Sequence, residues 1–331
     1  MNEPHILVLG AGSAGRRHTR NLRSLGCRLS AFDPRGDRIE ETRGEGELVN
    51  GFTKLDEALN AQEYDGYVIA SPPLFHVDQA LAIRGKSKHW ILSEKPLSVT
   101  AAEASRLEGV ENILLGYTYR WWPPLGRYRE RLQAGDIGAV RSMRFIMSAH
   151  LADWHPWEPY QDFFMANKEQ GGGALLDESH FIDLMLWFLG APSKVYAQVE
   201  KLSDLDISAD DNVDIIVSYK SGARVNLHLD LVGRPHERSI TAVGENGTLL
   251  YSYEENAIKF SNEGAAKWQV EKFDCERNEM FLGAARELLA LIRDEKSEPL
   301  TCTVADGIAA LKIVDACRAS SDSDRAINLY A

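Results

Sequence analysis

The chain has 331 residues and a formal charge of 37 − 49 = −12 at neutral pH. At roughly 150 residues per domain this length predicts about two domains, each large enough for its own core. A composition of 44% hydrophobic and 26% charged residues excludes disorder as the dominant state, and the acidic balance lacks the basic footprint of a nucleic-acid or anionic-membrane binder. The greasiest stretch, 181–189, is interrupted by Asp183 and falls short of the roughly 18 apolar residues of a spanning helix. The start MNEPHILVLG places acid before a short apolar run, so we expect no signal peptide and a cytoplasmic location. Cys27, Cys275, Cys302 and Cys317 form no CxxC pair, against a disulfide scaffold or a zinc knuckle.

In chain order, residues 6–9 read as a short β-rich run and 14–25 as a helix. Apolar runs follow at 29–32, 67–70, 90–92 and 113–115, with helical patterns between most of them. Continuous apolar strands alternating with helices predict a doubly wound parallel sheet, assigned to residues 1–118. After residue 118 the grammar changes to a helix at 125–133, a long strand at 139–148 and a helix after the glycines at 171–173. Strands then come in succession. Val225, Leu227, Leu229 and Leu231 alternate with Asn226, His228 and Asp230, the period-two signature of a sheet with one wetter face. Lys220-Ser221-Gly222 and Glu245-Asn246-Gly247 read as hairpin turns, the second a better turn than a glycosylation site. Helical segments at 276–292 and 304–319 close a second, α+β domain spanning 119–331.

Gly10-Ala11-Gly12-Ser13-Ala14-Gly15 is a GxGxxG loop between a strand and a helix. There the first glycine permits the tight turn, the second lets backbone approach a pyrophosphate, and the third allows close helix–strand packing. The helix start offers N–H groups and a positive dipole end to the anion, through Ser13 and Ala14 as well as the glycines. Asp33 ends the second strand 18 residues after Gly15, near the spacing of about 20 for an acid that accepts from a ribose. Such a carboxylate repels a 2′-phosphate, so NAD is expected over NADP. Arg35 works the other way, since an arginine there can hold that phosphate or stack on adenine.

Three further segments extend the pattern: Ser71-Pro72-Pro73-Leu74-Phe75-His76, Glu94-Lys95-Pro96-Leu97-Ser98, and residues 171–183, GGGALLDESHFID. With the glycine loop they resemble, in order and spacing across nearly the whole chain, the glucose–fructose oxidoreductase / inositol dehydrogenase / MocA family. The resemblance implies a Rossmann domain followed by an open-faced, mostly antiparallel mixed sheet that binds substrate and partner subunits. It implies NAD-linked hydride transfer at a secondary alcohol of a sugar or cyclitol. Lys95 then matches the lysine near the reacting hydroxyl, and His180 the catalytic histidine. Ser71, Pro72, Pro73, His76 and Glu94 line the cofactor, and Arg120 sits at the domain junction. The chain departs from the commoner pattern at Thr118, where many relatives have Asn, and at Asp177, which precedes His180 by three residues instead of four. That variant, with the segment 153–160, resembles a subgroup of surface-polysaccharide and nucleotide-sugar pathways.

The chemistry of the residues agrees. Oxidising an alcohol needs a base for its proton, and histidine titrates in the useful range. A lysine at the same oxygen favours the developing alkoxide. Asp177, placed on the same helix face as His180, either orients it or binds a second hydroxyl. The aromatic segment holding Trp154, Trp157 and Tyr160 either stacks on a sugar or base, or anchors its loop; Trp154 and Tyr160 are the substrate-binding candidates. His150, Asp153, His155, Glu158 and His180 show no helical ligand pair, so no metal is expected. A free-cyclitol dehydrogenase, a keto-sugar reductase and a non-catalytic dinucleotide sensor remain alternatives. A homodimer or homotetramer is implied by the resemblance.

Overall fold

The computed structural model describes residues 3–46, 48–154, 159–262, 264, 267–296 and 299–329. In chain order the regular elements begin β1 (His5–Leu9), α1 (Ser13–Ser24), β2 (Arg28–Phe32), α2 (Gly36–Gly46), β3 (Asn50–Phe52), α3 (Leu55–Asn60), β4 (Gly66–Ile69), α4 (His76–Arg84), β5 (Trp90–Glu94), α5 (Ala101–Ala104) and β6 (Ile113–Gly116). They continue α6 (Pro123–Gln133), β7 (Val140–Ser148), α7 (Ala174–Asp177), α8 (Ser179–Leu189), β8 (Lys194–Glu200), β9 (Asn212–Ser218), β10 (Arg224–Asp230) and β11 (Glu237–Gly244). The last are β12 (Gly247–Ser252), β13 (Ala257–Asn262), β14 (Gln269–Lys272), α9 (Glu279–Ile292), α10 (Val304–Ser323) and β15 (Ile327–Asn328). The chain forms two compact units, residues 1–121 with 277–308, and residues 122–276 with 309–331.

The first unit holds a six-stranded sheet in the order β3-β2-β1-β4-β5-β6, every pair parallel. This is the doubly wound order that reverses between β1 and β4, where a crevice opens at the carboxyl ends of the strands. Ile6, Val8, Leu29, Val68, Leu92 and Leu114 are buried at its centre. The sequence reading ended this domain at 118. In the structure, 277–308 joins it, because α9 buries Ala284, Ala285, Leu288 and Leu291 in the same core as Ile6 and Leu29. The edge strand β3 was also not foreseen, being too short to show a period.

The second unit is built on a nine-stranded sheet, β14-β13-β12-β11-β7-β10-β9-β8-β15. β7 and β10 pair in parallel and the other pairs are antiparallel. The alternation at 225–231 is satisfied within this unit: Val225, Leu227 and Leu229 are buried, while Asn226 and His228 lie on the wetter face. The buried face meets α6 and α7, and Phe145 of β7 meets the Phe181 ring of α8 edge-on at 6.5 Å. Among the described residues, no helix is long and apolar enough to cross a membrane.

Candidate active site

The glycine loop joins β1 to α1 at the reversal of strand order. Gly10 has φ +96°, and a Cβ there would meet the Ala70 carbonyl and the Ser71 nitrogen at 2.6 Å, just past β4. A Cβ on Gly15 would overlap the Gly10 carbonyl oxygen. The loop is therefore closed on two sides by backbone. At Gly12 the only atom of the described residues within 4 Å of a Cβ is in the Arg38 guanidinium, at 3.7 Å, so room is left on the third side. Ser13 and Ala14 begin α1, whose first turn carries no acid and whose leading N–H groups have no intrahelical acceptors. Backbone donors and free space meet where a pyrophosphate would lie.

Asp33 is buried at the end of β2, with its carboxylate accepting from Ala11 N–H at 2.8 Å and Arg35 N–H at 2.9 Å. Each oxygen keeps a lone pair for a ribose hydroxyl. The Arg35 guanidinium is occupied by Asp37, at 2.5 and 3.2 Å. Arg38 approaches instead, 4.0 Å from Asp33 and beside Gly12. The sequence reading named Arg35 and missed Arg38, whose signal was its place one helical turn further on.

The next loop carries Ser71, Pro72, Pro73 and His76. Ser71 donates its hydroxyl to Gln79 at 2.8 Å, and Pro73 starts a short helical turn. His76 is buried between two carbonyls, Pro96 O at 2.8 Å and Ser71 O at 2.7 Å. Burial pushes its pKa down against the pull of those carbonyls, and the ring ties the loop to the segment after Lys95. Glu94 and Lys95 leave β5 on the same carboxyl edge. Glu94 pairs with His18 of α1, at 2.7 Å between Oε1 and Nε2. Arg120 is 8% exposed; it donates to Thr301 O at 3.0 Å and pairs with Asp306 at 3.1 Å, an ion pair that secures residues 301–306 within the first unit.

In the second unit, Gly171-Gly172-Gly173 delivers the helical stretch with Asp177 and His180. Gly173 has φ +110°, and a Cβ there would overlap the Asp210 carboxylate. That carboxylate accepts from Leu175 N–H at 2.8 Å and caps α7. Burial raises the Asp210 pKa above its ordinary value, with the Leu175 hydrogen bond working against the rise. The sequence predicted one helix through Asp177 and His180. The structure instead breaks it at Glu178, with α7 ending at Asp177 and α8 starting at Ser179. Phe181 N–H reaches back three residues to Glu178 O at 3.0 Å at the start of α8. Asp177 is buried and His180 partly exposed.

Trp154 is half-buried, with an indole N–H that has no hydrogen-bond partner among the described residues. The Tyr160 hydroxyl accepts from Asp206 N–H at 3.2 Å. Beside Trp154, Asp153 pairs with Arg234 at 2.7 and 2.9 Å. Residues 155–158, including His155, Trp157 and Glu158, lie outside the described residues. Among the described residues, no group of three His, Cys, Asp or Glu side chains is placed to hold a metal ion.

Two family models match these halves. Residues 5–111 match the oxidoreductase family with an NAD-binding Rossmann fold, and residues 126–250 match the GFO/IDH/MocA C-terminal domain. Glucose-6-phosphate 3-dehydrogenase of Bacillus subtilis (strain 168) is 26% identical over 267 residues, 74% of this chain and 73% of that protein. The dTDP-3,4-didehydro-2,6-dideoxy-alpha-D-glucose 3-reductase of Saccharopolyspora spinosa is 32% identical over 179 residues, half of each chain. A levoglucosan dehydrogenase solved in complex with NADH superposes with a TM-score of 0.86, at 17% identity, over 99% of this chain and all of that one. The chain belongs to the GFO/IDH/MocA family of oxidoreductases. It is an NAD-dependent dehydrogenase or reductase, and the glycine loop has the room and backbone donors, and Asp33 the acceptor oxygens, that NAD requires.

Proposed function

We propose that this enzyme transfers a hydride between NAD and a secondary alcohol or ketone of a sugar or nucleotide sugar. One observation carries the reading. Asp33, the glycine loop, the loop at 71–73 and Lys95 follow β2, β1, β4 and β5, four adjacent strands of one parallel sheet. Three strand spacings of about 4.8 Å separate the ends of that row, so an extended dinucleotide with its ribose at Asp33 runs along the edge toward Lys95. Gly10, Gly12, Ser13, Ala14 and Gly15 hold its pyrophosphate, while Ser71, Pro72, Pro73 and Glu94 line its path. His76, Arg35 and Arg120 support that path from behind. The two relatives named for sugar substrates favour the substrate class.

Bound NAD supplies the hydride acceptor. Lys95 stabilises the alkoxide as the hydride leaves, His180 takes the hydroxyl proton, and Asp177 orients His180 or a neighbouring hydroxyl. Trp154 and Tyr160 bind the sugar. In the reverse direction the same groups return the proton. The four cysteines, none of them in a disulfide among the described residues, and the acidic composition support a cytoplasmic enzyme. The wetter sheet face, which exposes Ile216 and Val243, supports a homodimer or homotetramer, to be read by sedimentation at micromolar concentration.

The test is NADH absorbance over a panel of nucleotide sugars, sugar phosphates, free sugars and inositols, each with NAD⁺ and NADP⁺. Turnover on a sugar class that Lys95→Met abolishes, with NADH binding retained, supports the reading. Unchanged turnover in Lys95→Met removes Lys95 from the mechanism, and activity confined to inositols changes the substrate class.

A further inference from the structure

His18 lies on the first turns of α1, three residues past Gly15, and its side chain is 1% exposed. Nothing in the cofactor cradle requires a histidine there. Its Nε2 reaches Glu94 Oε1 at 2.7 Å, and a carboxylate only accepts, so the ring donates. Its Nδ1 is buried and has no hydrogen-bond partner among the described residues. The other oxygen of Glu94 turns back along its own chain and accepts the backbone N–H of Lys95 at 3.3 Å. One carboxylate thus joins the helix behind the glycine loop to the peptide that presents Lys95.

We propose that His18 is a positioning residue, which through Glu94 locks the pyrophosphate-binding helix to the strand end carrying Lys95. The inference rests on the reading of Lys95 as the group at the reacting oxygen. Its physical content is a fixed separation. A dinucleotide whose pyrophosphate is held at α1 would extend its nicotinamide toward the end of β5, so any slip between these two elements would displace Lys95 from the ring. A largely buried, charge-assisted hydrogen bond resists that slip better than apolar packing, which has no preferred direction. The charge on Glu94 is sustained locally. Burial works against it, but His18, Lys95 and Arg17 together hold its pKa below the ordinary value. His76 faces the same carboxylate from α4, and Arg277 stands beyond Arg17.

The experiment compares His18→Gln, His18→Leu, Glu94→Gln and the paired His18→Leu/Glu94→Leu with the unmodified protein. The pair is included because His18→Leu alone leaves a buried carboxylate without its donor and can fail to fold, whereas an apolar pair of similar volume is tolerated. Backbone hydrogen exchange is read without cofactor, and NADH binding is titrated by its fluorescence. In the paired variant we expect exchange over 93–98 to accelerate at least tenfold, while 28–32 is unchanged. The fluorescence of the bound nicotinamide changes. His18→Gln, which keeps a donor, restores slow exchange and the original fluorescence. Unchanged exchange over 93–98 in the paired variant overturns the proposal. So does a uniform acceleration that His18→Gln fails to reverse, which would mark a merely structural contact. Lys95→Met answers a separate question: normal turnover there removes Lys95 from catalysis, while the exchange data still decide whether His18 holds the strand end.

Discussion

The carboxylate of Asp33 accepts the backbone N–H of Ala11 at 2.8 Å, so the acid at the end of β2 is fastened to the glycine loop at the end of β1. One group therefore shapes the loop and, in the role proposed for it, accepts from the ribose. Asp33→Ser removes both actions. We expect the specificity constant for NAD⁺ to fall by about tenfold to a hundredfold, the loss of one or two charge-assisted hydrogen bonds. The ratio of NADP⁺ to NAD⁺ activity should rise, because Arg38 is then the charge left beside Gly12. An unchanged ratio would remove Asp33 as the discriminating group. The check is steady-state kinetics with both cofactors.

The glycines of the loop make different demands. Gly15→Ala drives a methyl into the Gly10 carbonyl, which is backbone and cannot yield. It should cost about 3 kcal/mol or more, read as a lower urea midpoint. Among the described residues, Gly12→Ala meets only the end of the Arg38 side chain, at 3.7 Å. It should melt like wild type yet weaken NADH binding at least about tenfold, because the methyl occupies the space the pyrophosphate needs. Equal effects of both changes on stability would contradict this geometry.

Asp210 caps the stretch that carries Asp177 and His180. Asp210→Ala leaves the Leu175 N–H buried without an acceptor and should cost about 1–2 kcal/mol. Asp210→Asn should cost well under half of that. It keeps an acceptor, and burial already disfavours the charge. Thermal unfolding of the two variants distinguishes capping from charge. Turnover should follow the same order, since the cap fixes the start of the turn below His180.

His228 donates from both ring nitrogens, to Asp230 at 3.0 Å and Asp214 at 2.8 Å, which makes it an imidazolium. The Asp230 hydrogen bond, opposed by burial and helped by Asp214, raises its pKa from 6.5 to about 9. Asp230, against the burial that would raise it, is held at about 2 by His228, Ser148 and the Val232 and Gly233 N–H groups. The folded state binds the histidine proton more tightly, so this stabilisation is complete below pH 6.5 and disappears as pH rises through about 9. It binds the aspartate proton less tightly, so that stabilisation is complete above pH 3.8 and disappears as pH falls toward 2. His228 is 39% exposed, which limits the gain to under about 1 kcal/mol. The urea midpoint of His228→Gln should trail wild type between pH 4.5 and 6.5 and converge with it above about pH 9. A constant gap across that range would refute the linkage.

The shape of the glycine loop and the place of Asp33 at the end of β2 were legible in the sequence because their demands are local. Gly10, Gly15 and Asp33 lie close along the chain, and each answers a steric or charge demand that spacing alone reveals. The histidine helix was half legible: its apolar stripe showed, but the break at Glu178 did not, because no glycine or proline marks the residue whose backbone leaves helical geometry there. His18, Asp210 and the Arg120–Asp306 pair left no pattern, since their partners lie 76, 35 and 186 residues away. Side chains that act across such distances become visible only when the sheets bring them together.

The place of α9 also bears on how the protein is made. Its apolar side fills the same core as β1 and β2, yet it is synthesised more than 240 residues after them. As the nascent chain leaves the ribosome, the dinucleotide half waits with part of its interior uncovered until residues 277–308 emerge. A fragment cut at 118 would carry every residue of the glycine loop and still lack the wall behind it. Such a fragment should aggregate when expressed alone and recover when residues 277–308 are fused to its end through a flexible linker.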